Sequence, residues 1–506
     1  MQVQSLTKLY FVFLLLVDFR VGRYYTELNS SKKPLANMKT YTPTIGLEIH
    51  AELKTTTKMF CDSKNDPHHG EPNTYICPIC MGHPGTLPVI NKKAVQHVLT
   101  VGYALKGTLA SYTEFDRKNY FYPDIPKGYQ ISQYAYPLVK GGTLNDIAIT
   151  RVHLEEDTAR SLHDQGEGSI IDFNRAGVPL MELVTEPVIH DAKTAGNFAR
   201  ELQLLLRTLG VSDANMEKGE MRVEANISVS PDDTFGTKVE VKNLNSFKSV
   251  EGAIAFEIKR QIDALERGEK LIQETRGWDE IKGKTFSQRV KESANDYRYF
   301  PDPDLPKLNI QLSEDLKESR IHENAPELPI EKREKYGNLG LTREQIEIII
   351  ADRAIDSFFK SAVGFANDEV DTSRLIANYL VTDVLPQLSS SNALKDLHIE
   401  MFVALMHLLR DEKITSRVAK DILLIVIRDG VDPLVYATEN GLLQNSSSED
   451  LQQIIVQVVS ENPSVVEEYR AGKETAIQFL VGQGMKLSKG SANPKVLLEL
   501  FKNQLA

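Results

Sequence analysis

The sequence predicts an α+β fold in which a mixed region of strands and helices precedes a helical region. Between Met38 and about residue 320, strand patterns and helix patterns both occur. They do not alternate regularly, which favours an α+β fold over a doubly wound sheet. Beyond about Ala325 the apolar residues recur with a helical period. Neither a GxGxxG nor a GxxxxGKS/T phosphate loop occurs, so a nucleotide site would need a less common fold.

Local patterns place the individual elements. Strands are predicted at Thr44–Leu53, Ile147–Leu154, Ile170–Phe173, Met221–Ser230 and Thr237–Val241. Helices are predicted at Lys92–Leu105, Ala192–Thr208, Ser249–Arg267 and Lys495–Leu505. In the helical region, Thr342 and Gln345 form a capping-box pattern. Thr415 or Ser416 is expected to cap a helix that stops near Gly430.

The length of 506 residues is enough for about three domains. We predict an extension outside the fold at 1–37, a mixed domain at 38–320, a helical domain at 321–400 and a helical tail domain at 401–506. The extension contains the apolar run Leu9–Val17, which is too short to span a bilayer. The extension is either the product of a gene model that starts too early, before Met38, or a segment that targets the protein to an organelle.

Composition narrows the class of protein. A net charge of −11, from 59 Lys+Arg and 70 Asp+Glu, disfavours nucleic-acid binding through bulk charge. Such binding would need a local basic surface or a partner subunit. Only three cysteines occur, which excludes a disulfide scaffold and favours the reducing cytoplasm. With 41% hydrophobic residues and no long apolar span, no membrane role is expected.

The segment TIGLEIHAEL alternates apolar and polar residues. On a strand, Glu48, His50 and Glu52 therefore project from one face. Carboxylate oxygens with an imidazole suit a hard divalent cation such as Mg²⁺. A half-exposed edge strand without a metal is the alternative.

Two further acidic segments strengthen the metal hypothesis. The sequence HLEED ends a predicted strand with Glu155, Glu156 and Asp157, and adjacent acids repel one another unless cations compensate. Glu182 lies inside an apolar run, where a carboxylate needs a partner. Glu48, His50, Glu182 and one of the two glutamates of HLEED could form an oxygen-rich site. Solvated strand ends and salt bridges are the alternative.

The cysteines form half of a zinc motif. Cys77 and Cys80 have CxxC spacing, and Cys61 precedes them. Histidines at 68, 69 and 83 lie nearby in the sequence. A zinc site and a degenerate site without metal both remain open.

Basic residues occur in two contexts that suit phosphate. The segment 115–133 interleaves Arg, Lys and aromatic residues, a pattern that stacks bases and holds phosphates but also fits a packed Tyr/Pro loop. Lys238, Glu240 and Lys242 lie on one strand face. Lysines near acidic residues suit triphosphate binding, whereas cross-strand salt bridges are the alternative.

Many motifs together resemble the B subunit of the aspartyl/glutamyl-tRNA(Asn/Gln) amidotransferases. The matching stretches include TIGLEIHAEL, EPNTYICPICMGHPGTLPVINKKAV, FDRKNYFYPDIPKGYQISQY, ITRVHLEED, NRAGVPLMELVTEP, FGTKVEVKNLNSFKSVE, DYRYFPDPDLP and FLVGQGMKLSKGSANP. They occur in the family's order and cover the chain from Met38 onward.

The resemblance implies a cradle-shaped, kinase-like mixed domain followed by a helical domain and a small helical tail domain. It implies a heterotrimer in which this type of chain works with an amidase and with a small third protein. Such a chain uses ATP and Mg²⁺ to phosphorylate the side-chain carboxylate of mischarged Glu-tRNA(Gln) or Asp-tRNA(Asn), and ammonia from the amidase then forms the amide. The alternative is a tRNA-binding scaffold that recruits the amidase without kinase chemistry.

The resemblance also implies site residues. It gives Glu48, His50, Glu156 and Glu182 as catalytic Mg²⁺ ligands. It gives Lys238, Lys242, Asn243 and Arg175 as cofactor-binding residues. However, a strand period of two puts Glu155 beside His153, so Glu155 and Glu156 remain alternatives.

Two departures from the family pattern matter. Ser63 stands where zinc-binding members have a cysteine, which leaves Cys61, Cys77 and Cys80 one thiol short. Glu224 stands where the family has aspartate, and we give it no role. Basic residues of the tail are expected to contact tRNA backbone, namely Lys486, Lys489 and Lys495.

Overall fold

The computed structural model describes residues 40–162, 168–232, 234–290, 297–367, 369–444, 448–488, 490 and 492–505. The predicted extension at 1–37 and Lys489 lie outside these residues. The chain forms two compact units. The first contains residues 40–48 and the described parts of Thr185–Gly196 and Val223–Asn295. The second contains the described parts of Ile49–Val184, Asn197–Arg222 and Asp296–Ala506.

The strands precede most of the helices in the chain. The strands are β1 (Thr42–Glu52), β2 (Thr108–Leu109), β3 (Tyr112–Thr113), β4 (Asp116–Asn119), β5 (Tyr129–Ser132), β6 (Val139–Lys140), β7 (Thr143–Leu144), β8 (Ile147–Glu156), β9 (Arg160–Leu162), β10 (Ile170–Asp172), β11 (Pro179–Thr185), β12 (Met221–Ser230), β13 (Val239–Leu244), β14 (Glu274–Asp279), β15 (Lys284–Val290), β16 (Phe300–Pro301) and β17 (Leu308–Asn309).

The helices dominate the sequence after residue 315. They are α1 (Lys92–Ala104), α2 (Ala192–Leu209), α3 (Phe247–Glu266), α4 (Glu318–Asn324), α5 (Pro329–Asn338), α6 (Arg343–Ala351), α7 (Arg353–Phe365), α8 (Val370–Tyr379), α9 (Ile399–Arg410), α10 (Ser416–Asp429), α11 (Pro433–Glu439), α12 (Ser448–Glu461), α13 (Pro463–Arg470), α14 (Ala476–Leu487) and α15 (Pro494–Leu505).

The first unit is a sheet covered by one long helix. Its strand order is β15-β14-β13-β12-β1. Strand β13 pairs antiparallel with β12 and parallel with β14, and β14 pairs antiparallel with β15. Helix α3 packs against β13 and β15 and buries Val250, Ala253 and Ile254. The apolar face of the sheet therefore has a cover, which leaves its polar residues on the opposite face.

The second unit contains the mixed strands around β8. Its main strand order is β1-β11-β8-β6-β2, and β7 also pairs with β8. Strand β5 pairs antiparallel with β4, which also pairs with β16. Helix α1 buries Val95, Val98 and Leu99 and packs against β8 and β6. This packing fixes β8, whose last five residues, Val152 to Glu156, are all buried.

The helical region has two hydrophobic cores. One core extends from Tyr336 to Ala437, and the other from Leu451 to Leu505. Phe402 and Met406 of α9 belong to the first core together with Phe359 of α7. The predicted border at 400/401 therefore falls inside one core, and the change between cores falls between α11 and α12.

The structure confirms the predicted α+β class with its helical C-terminal region. The ends of the predicted strands and helices lie within about three residues of the observed ends. The capping box at Thr342 and Gln345 is present, and Thr415 caps α10, which ends at Gly430 in the left-handed conformation. In the part of the chain that the structure describes, no helix is both long and apolar enough to cross a membrane.

Candidate active site

The alternation of β8 selects which acids face a common site. His153 and Glu155 lie two residues apart and share one face of the strand, whereas Leu154 and Glu156 share the other. The side chain of Glu155 is only 3% exposed. A carboxylate at this depth must be stabilised by donors or cations, because burial of an unpaired charge is costly.

Four side chains from three strands of the second unit meet at this face. His50 of β1, His153 and Glu155 of β8 and Glu182 of β11 form what we call the acid–imidazole cluster. His50 Nε2 lies 3.4 Å from Glu182 Oε2 and 3.8 Å from Glu155 Oε1. His153 Nε2 lies 3.5 Å from Glu182 Oε2 and 3.8 Å from Glu155 Oε2. Each imidazole thus faces both carboxylates.

Hydrogen-bond donors around the cluster orient its carboxylates. The Ser132 hydroxyl donates to Glu155 Oε2 at 3.1 Å. Arg151 approaches Glu182 Oε1 with a terminal guanidinium nitrogen at 3.4 Å. His153 Nδ1 is buried and has no hydrogen-bond partner in the described residues. Hydrogen bonds therefore orient the carboxylates of Glu155 and Glu182, and His153 Nδ1 is a buried nitrogen without a partner in the described residues.

Lys118 of β4 supplies a positive charge beside the cluster. Its ammonium lies over the Tyr297 ring, 5.1 Å from the centroid, and 6.0 Å from the centroid of Tyr120. Burial disfavours the charge, but attraction to Glu155 and Glu182 outweighs it and raises the pKa of Lys118. The lysine therefore remains protonated at neutral pH.

The same charges keep both carboxylates ionised. Burial would raise the pKa of Glu155, but Lys118 and the neighbouring histidines outweigh it, and the pKa is lowered. The pKa of Glu182 is lowered because the imidazoles of His153 and His50 and the ammonium of Lys118 overcome the effect of burial. Ionised carboxylates with imidazole nitrogens form the donor set that a divalent cation prefers.

Glu156 lies outside this cluster, contrary to the expectation from the family motif. Its Oε1 accepts hydrogen bonds from Lys127 Nζ and, at 2.9 Å, from the backbone N–H of Ile131. Its side chain borders a small cavity with Cys80 and Gly177. The regular pleat of β8 continues through Glu155, so strand alternation prevails over the motif and Glu156 points to the other face.

Glu48 lies in the first unit, close to two other carboxylates. Oxygen atoms of Glu48, Glu224 and Glu240 all lie within 4.8 Å of one another. Lys242 Nζ lies 2.6 Å from Glu224 Oε2 and 3.5 Å from Glu240 Oε1. The hydroxyl of Thr275 donates to Glu240 Oε2 at 2.8 Å. We call this group the lysine-paired cluster, and its lysine already has carboxylate partners.

The lysine-paired cluster is fixed by an irregularity in the sheet. The β12–β13 register shifts between Val223 and Ala225, next to Glu224. Asn243 adopts the left-handed conformation there, with φ of 63°. Asparagine tolerates this conformation better than most residues, which suits it to a β-bulge. Burial opposes the charge of Lys242, yet Glu224 and Glu240 raise its pKa.

The other residues that were predicted to bind a cofactor lie outside both clusters or at their edge. Lys238 is exposed immediately before β13, and Asn243 is also exposed. Arg175 lies in the second unit, where it donates to the carbonyl oxygens of Thr158 at 2.9 Å and Ala159 at 3.0 Å. These donors hold a turn, and a phosphate contact of Arg175 stays a prediction.

The three cysteines come together in the second unit. Their sulfur atoms lie within 4.8 Å of one another. Cys80 Sγ accepts from the Cys77 N–H at 3.1 Å and from Lys58 Nζ at 3.8 Å, and the Ser63 hydroxyl lies 3.9 Å away. Lys58 is fully buried. A closed structural zinc site needs four ligands, and here the fourth neighbour is a hydroxyl or an ammonium, so the residues do not complete one.

Glu52, the second acid of the TIGLEIHAEL pattern, has its own partner. Its Oε2 lies 3.3 Å from His68 Nε2, and its Oε1 is buried without a hydrogen-bond partner in the described residues. Burial raises the pKa of Glu52, although His68 counteracts part of this effect. Glu52 therefore has a partner outside the acid–imidazole cluster.

Sequence reasoning missed the roles of His153, Lys118 and Ser132 in this site. His153 stands two residues before Glu155, so the strand period could have included it. Lys118 belongs to the basic aromatic segment, and only the fold brings that segment beside β8. Ser132 has no local signal, because its role depends on the pairing of β5 with neighbouring strands.

Carboxylates, imidazoles and a lysine ammonium are the groups with which the site of an enzyme can hold a cation or an anionic substrate. Residues 43–315 match the GatB/GatE catalytic domain, and residues 357–505 match the GatB domain. The chain belongs to the family formed by the B subunits of the aspartyl/glutamyl-tRNA(Asn/Gln) amidotransferases.

Relatives match nearly the whole chain. The aspartyl/glutamyl-tRNA(Asn/Gln) amidotransferase B subunit of Thermoanaerobacter pseudethanolicus is 42% identical over 480 residues, covering 92% of this chain and 99% of the relative. The protein of the same name from Thermodesulfovibrio yellowstonii is 43% identical over 478 residues, covering 91% and 98%. The one from Persephonella marina is 41% identical over 482 residues, covering 92% and 99%.

Proposed function

We propose that this chain is the part of a tRNA-dependent amidotransferase that converts mischarged Glu-tRNA(Gln) or Asp-tRNA(Asn) to Gln-tRNA(Gln) or Asn-tRNA(Asn). The observation that carries the proposal is the acid–imidazole cluster within a chain that is 42% identical to a relative of that name. Its reaction class is carbon–nitrogen ligation with glutamine as the amide donor.

The chemistry requires activation of a carboxylate. Ammonia does not displace oxide from a carboxylate, because the leaving group is too poor. Transfer of a phosphoryl group from ATP to the side-chain carboxylate of the aminoacyl-tRNA supplies phosphate as the leaving group. Such a transfer depends on positioning and charge neutralisation more than on a covalent nucleophile from the protein.

The acid–imidazole cluster suits a Mg²⁺ ion by its donor chemistry. His50, Glu155 and Glu182 would hold the ion, because His50 Nε2 lies within 3.8 Å of both carboxylates, and His153 lies at the edge of the set. When bound, Mg²⁺ neutralises charge on phosphate oxygens. Glu155 replaces Glu156 in this proposal, because the Glu156 carboxylate already accepts from Lys127 and Ile131. Glu48 lies two residues before His50 on the same face of β1 and stays a candidate ligand.

Lys118 is the proposed electrostatic partner of the phosphoryl group. Its ammonium has no carboxylate within ion-pair distance in the described residues, and the rings of Tyr297 and Tyr120 flank it. It can therefore contact an anionic substrate without first breaking a salt bridge. Lys242 is less suited to this role, since Glu224 holds it at 2.6 Å. Exposed Lys238 and Asn243 remain candidates for a phosphate contact.

The partners follow from the proposed reaction. A separate amidase would release ammonia from glutamine, and a small third protein would complete the heterotrimer. The helices after residue 447 have their own hydrophobic core. We propose that this tail domain contacts tRNA, with Lys486 and Lys495 as backbone contacts. A chain truncated after residue 444 should lose tRNA affinity and retain ATP binding.

The function is tested by ATP hydrolysis in the assembled complex. Addition of Glu-tRNA(Gln) or Asp-tRNA(Asn) should stimulate hydrolysis, whereas correctly charged tRNA should not. A His50→Ala variant should lose the stimulation and still bind tRNA. If neither mischarged tRNA stimulates the wild-type complex while tRNA still binds, the chain is instead a scaffold without kinase chemistry.

A further inference from the structure

A row of tyrosine rings leads from Lys118 to the surface of the second unit. The ammonium of Lys118 lies 5.1 Å from the centroid of Tyr297. The centroids of Tyr297 and Tyr299 are 6.0 Å apart. Tyr299 stacks on Tyr134, with centroids 4.4 Å apart and an interplanar angle of 13°. Tyr134 is 64% exposed, so the row ends on a ring that solvent reaches.

The terminal ring of this row is held in place. The buried carboxylate of Asp116 accepts from the backbone N–H of Tyr134 at 2.9 Å and of Ala135 at 3.3 Å. Tyr299 covers one face of the Tyr134 ring in a near-parallel stack. The solvent-exposed part of Tyr134 is therefore the edge of its ring and the face that Tyr299 does not cover. An ordered tyrosine with one open face is a stacking platform for another flat ring.

This platform lies close to the acid–imidazole cluster. Tyr134 follows Ser132 by two residues, about 7 Å of extended chain. The hydroxyl of Ser132 donates to Glu155 of the cluster. Lys118 and the two carboxylates of the cluster also act electrostatically on Tyr299, the ring beneath Tyr134. A ligand that stacks on Tyr134 can thus extend a charged group toward the cluster.

We infer that the open face of Tyr134 stacks an adenine base whose attached charged group reaches Lys118 and the acid–imidazole cluster. Aromatic side chains are the usual stacking partners of unpaired bases. The inference rests on the proposed function, because both proposed substrates carry an adenosine. One source is ATP, and the other is the 3′-terminal adenosine that bears the amino acid on tRNA.

The first arm of the test measures ATP binding to the assembled amidotransferase complex. The probe is AMP-PNP, which binds without being hydrolysed. Tyr134→Leu removes the aromatic face, Tyr134→Met covers Tyr299 with a flexible chain, and Tyr134→Phe keeps the ring. If ATP supplies the base, the Leu and Met variants should bind AMP-PNP roughly 10- to 100-fold more weakly, and the Phe variant within about twofold of wild type.

A neighbouring tyrosine provides the matched control. Tyr136 is 45% exposed and packs edge-on against Tyr112, with an interplanar angle of 89°. It is therefore outside the row that leads to Lys118. Tyr136→Leu removes a ring of the same type from the same loop, and it should leave AMP-PNP binding unchanged.

The second arm measures tRNA binding to the same complexes. Two tRNAs are compared, one intact and one lacking only the 3′-terminal adenosine. If tRNA supplies the base, loss of this adenosine weakens binding to the wild-type complex by roughly 10-fold or more. The same loss should have little further effect on the Leu and Met variants, because the stacking face is already absent.

An effect in either arm supports the inference and identifies the source of the base. Unchanged AMP-PNP binding together with an unchanged dependence on the terminal adenosine, in variants with cooperative thermal unfolding, would overturn it. Both arms measure binding without turnover. Failure of the proposed function would appear separately, as absence of glutamine-dependent amidation by a complex that still binds these ligands.

Discussion

The acid–imidazole cluster of the second unit and the lysine-paired cluster of the first use similar residues in different ways. In the first unit, Lys242 approaches Glu224 and Glu240 at 2.6 and 3.5 Å. In the second unit, imidazoles stand between Glu155 and Glu182, and the nearest lysine has rings around its ammonium. The lysine of one cluster is already paired with carboxylates, whereas the lysine beside the other is not within ion-pair distance of a carboxylate in the described residues.

This difference separates a structural role from a binding role. A lysine paired with two carboxylates gains little from an added anion, because it must first lose those contacts. Imidazole nitrogens and fixed carboxylates instead offer lone pairs to a cation, and an unpaired ammonium offers donors to an anion. The second unit is therefore the expected location of the chemistry, and substitutions at matched positions can test this.

The largest expected effect is at Glu182, which lies nearest to both imidazoles. Glu182→Gln should lower kcat/KM for amidation about 1,000-fold, because it removes a charge from the proposed cation site. Glu224→Gln in the lysine-paired cluster should cost less than about 10-fold, since Lys242 retains Glu240. Amidation rates over a Mg²⁺ titration measure both. Equal losses in the two variants would remove the distinction between the clusters.

The next effect distinguishes the adjacent acids of β8. Glu155→Gln should reduce amidation about 100-fold with little change in unfolding, because it alters the charge of the cluster. Glu156→Gln should instead lower the free energy of unfolding by about 3 kcal/mol, because the mostly buried ammonium of Lys127 loses its carboxylate. Urea unfolding and amidation assays measure the two quantities. The reverse pattern would restore Glu156 as the functional acid.

A smaller effect is expected from the lysines. Lys118→Met should weaken AMP-PNP binding or lower kcat about 10- to 100-fold, and Lys118→Arg should recover part of the loss because the charge remains. Lys242→Met is the matched change in the first unit and should have a weaker effect on both quantities, since its charge is already compensated. A stronger defect in the Lys242 variant would assign the phosphate contact to the first unit.

The smallest effect on amidation is expected from His97, which affects the stability of the second unit and lies outside the acid–imidazole cluster. His97 is buried and lies 3.0 Å from the Lys54 carbonyl, and burial lowers its pKa to about 4. The unfolded chain binds a proton below about pH 6.5 whereas the folded chain does not until about pH 4, so stability falls by up to about 3 kcal/mol across that interval. Stability above about pH 6.5 is unaffected by this group.

Urea unfolding at several pH values between about 7 and 4 checks this dependence. His97→Gln keeps a donor for the carbonyl and cannot titrate, so its unfolding should depend less on pH than that of the wild type. An identical pH dependence in the two proteins would assign the loss of stability to other groups. Amidation at neutral pH should be unchanged, because His97 lies in α1 and outside the cluster.

Among the described residues, local sequence patterns predicted the three longest strands, β1, β8 and β12, and the two longest helices, α2 and α3. The β12 segment Met221–Ser230 was predicted with its observed ends, because strict alternation continues over most of its length. The end of the core that extends from Tyr336 to Ala437 was not predicted, since helices on both sides of residue 400 have similar amphipathic patterns. Amphipathicity shows that a helix has a buried face, and it does not show which core that face joins.

The sequence by itself determined the α+β class, the polar face of β1 and the importance of Glu182 within an apolar run. These depend on neighbours along one strand, whose period of two is set by backbone geometry. The tertiary structure decided which groups combine. It placed Glu155 with the imidazoles, paired Lys242, left Lys118 beside the carboxylates and directed Arg175 to backbone carbonyls, because such contacts join residues far apart in the sequence through packing of strands that no local pattern specifies.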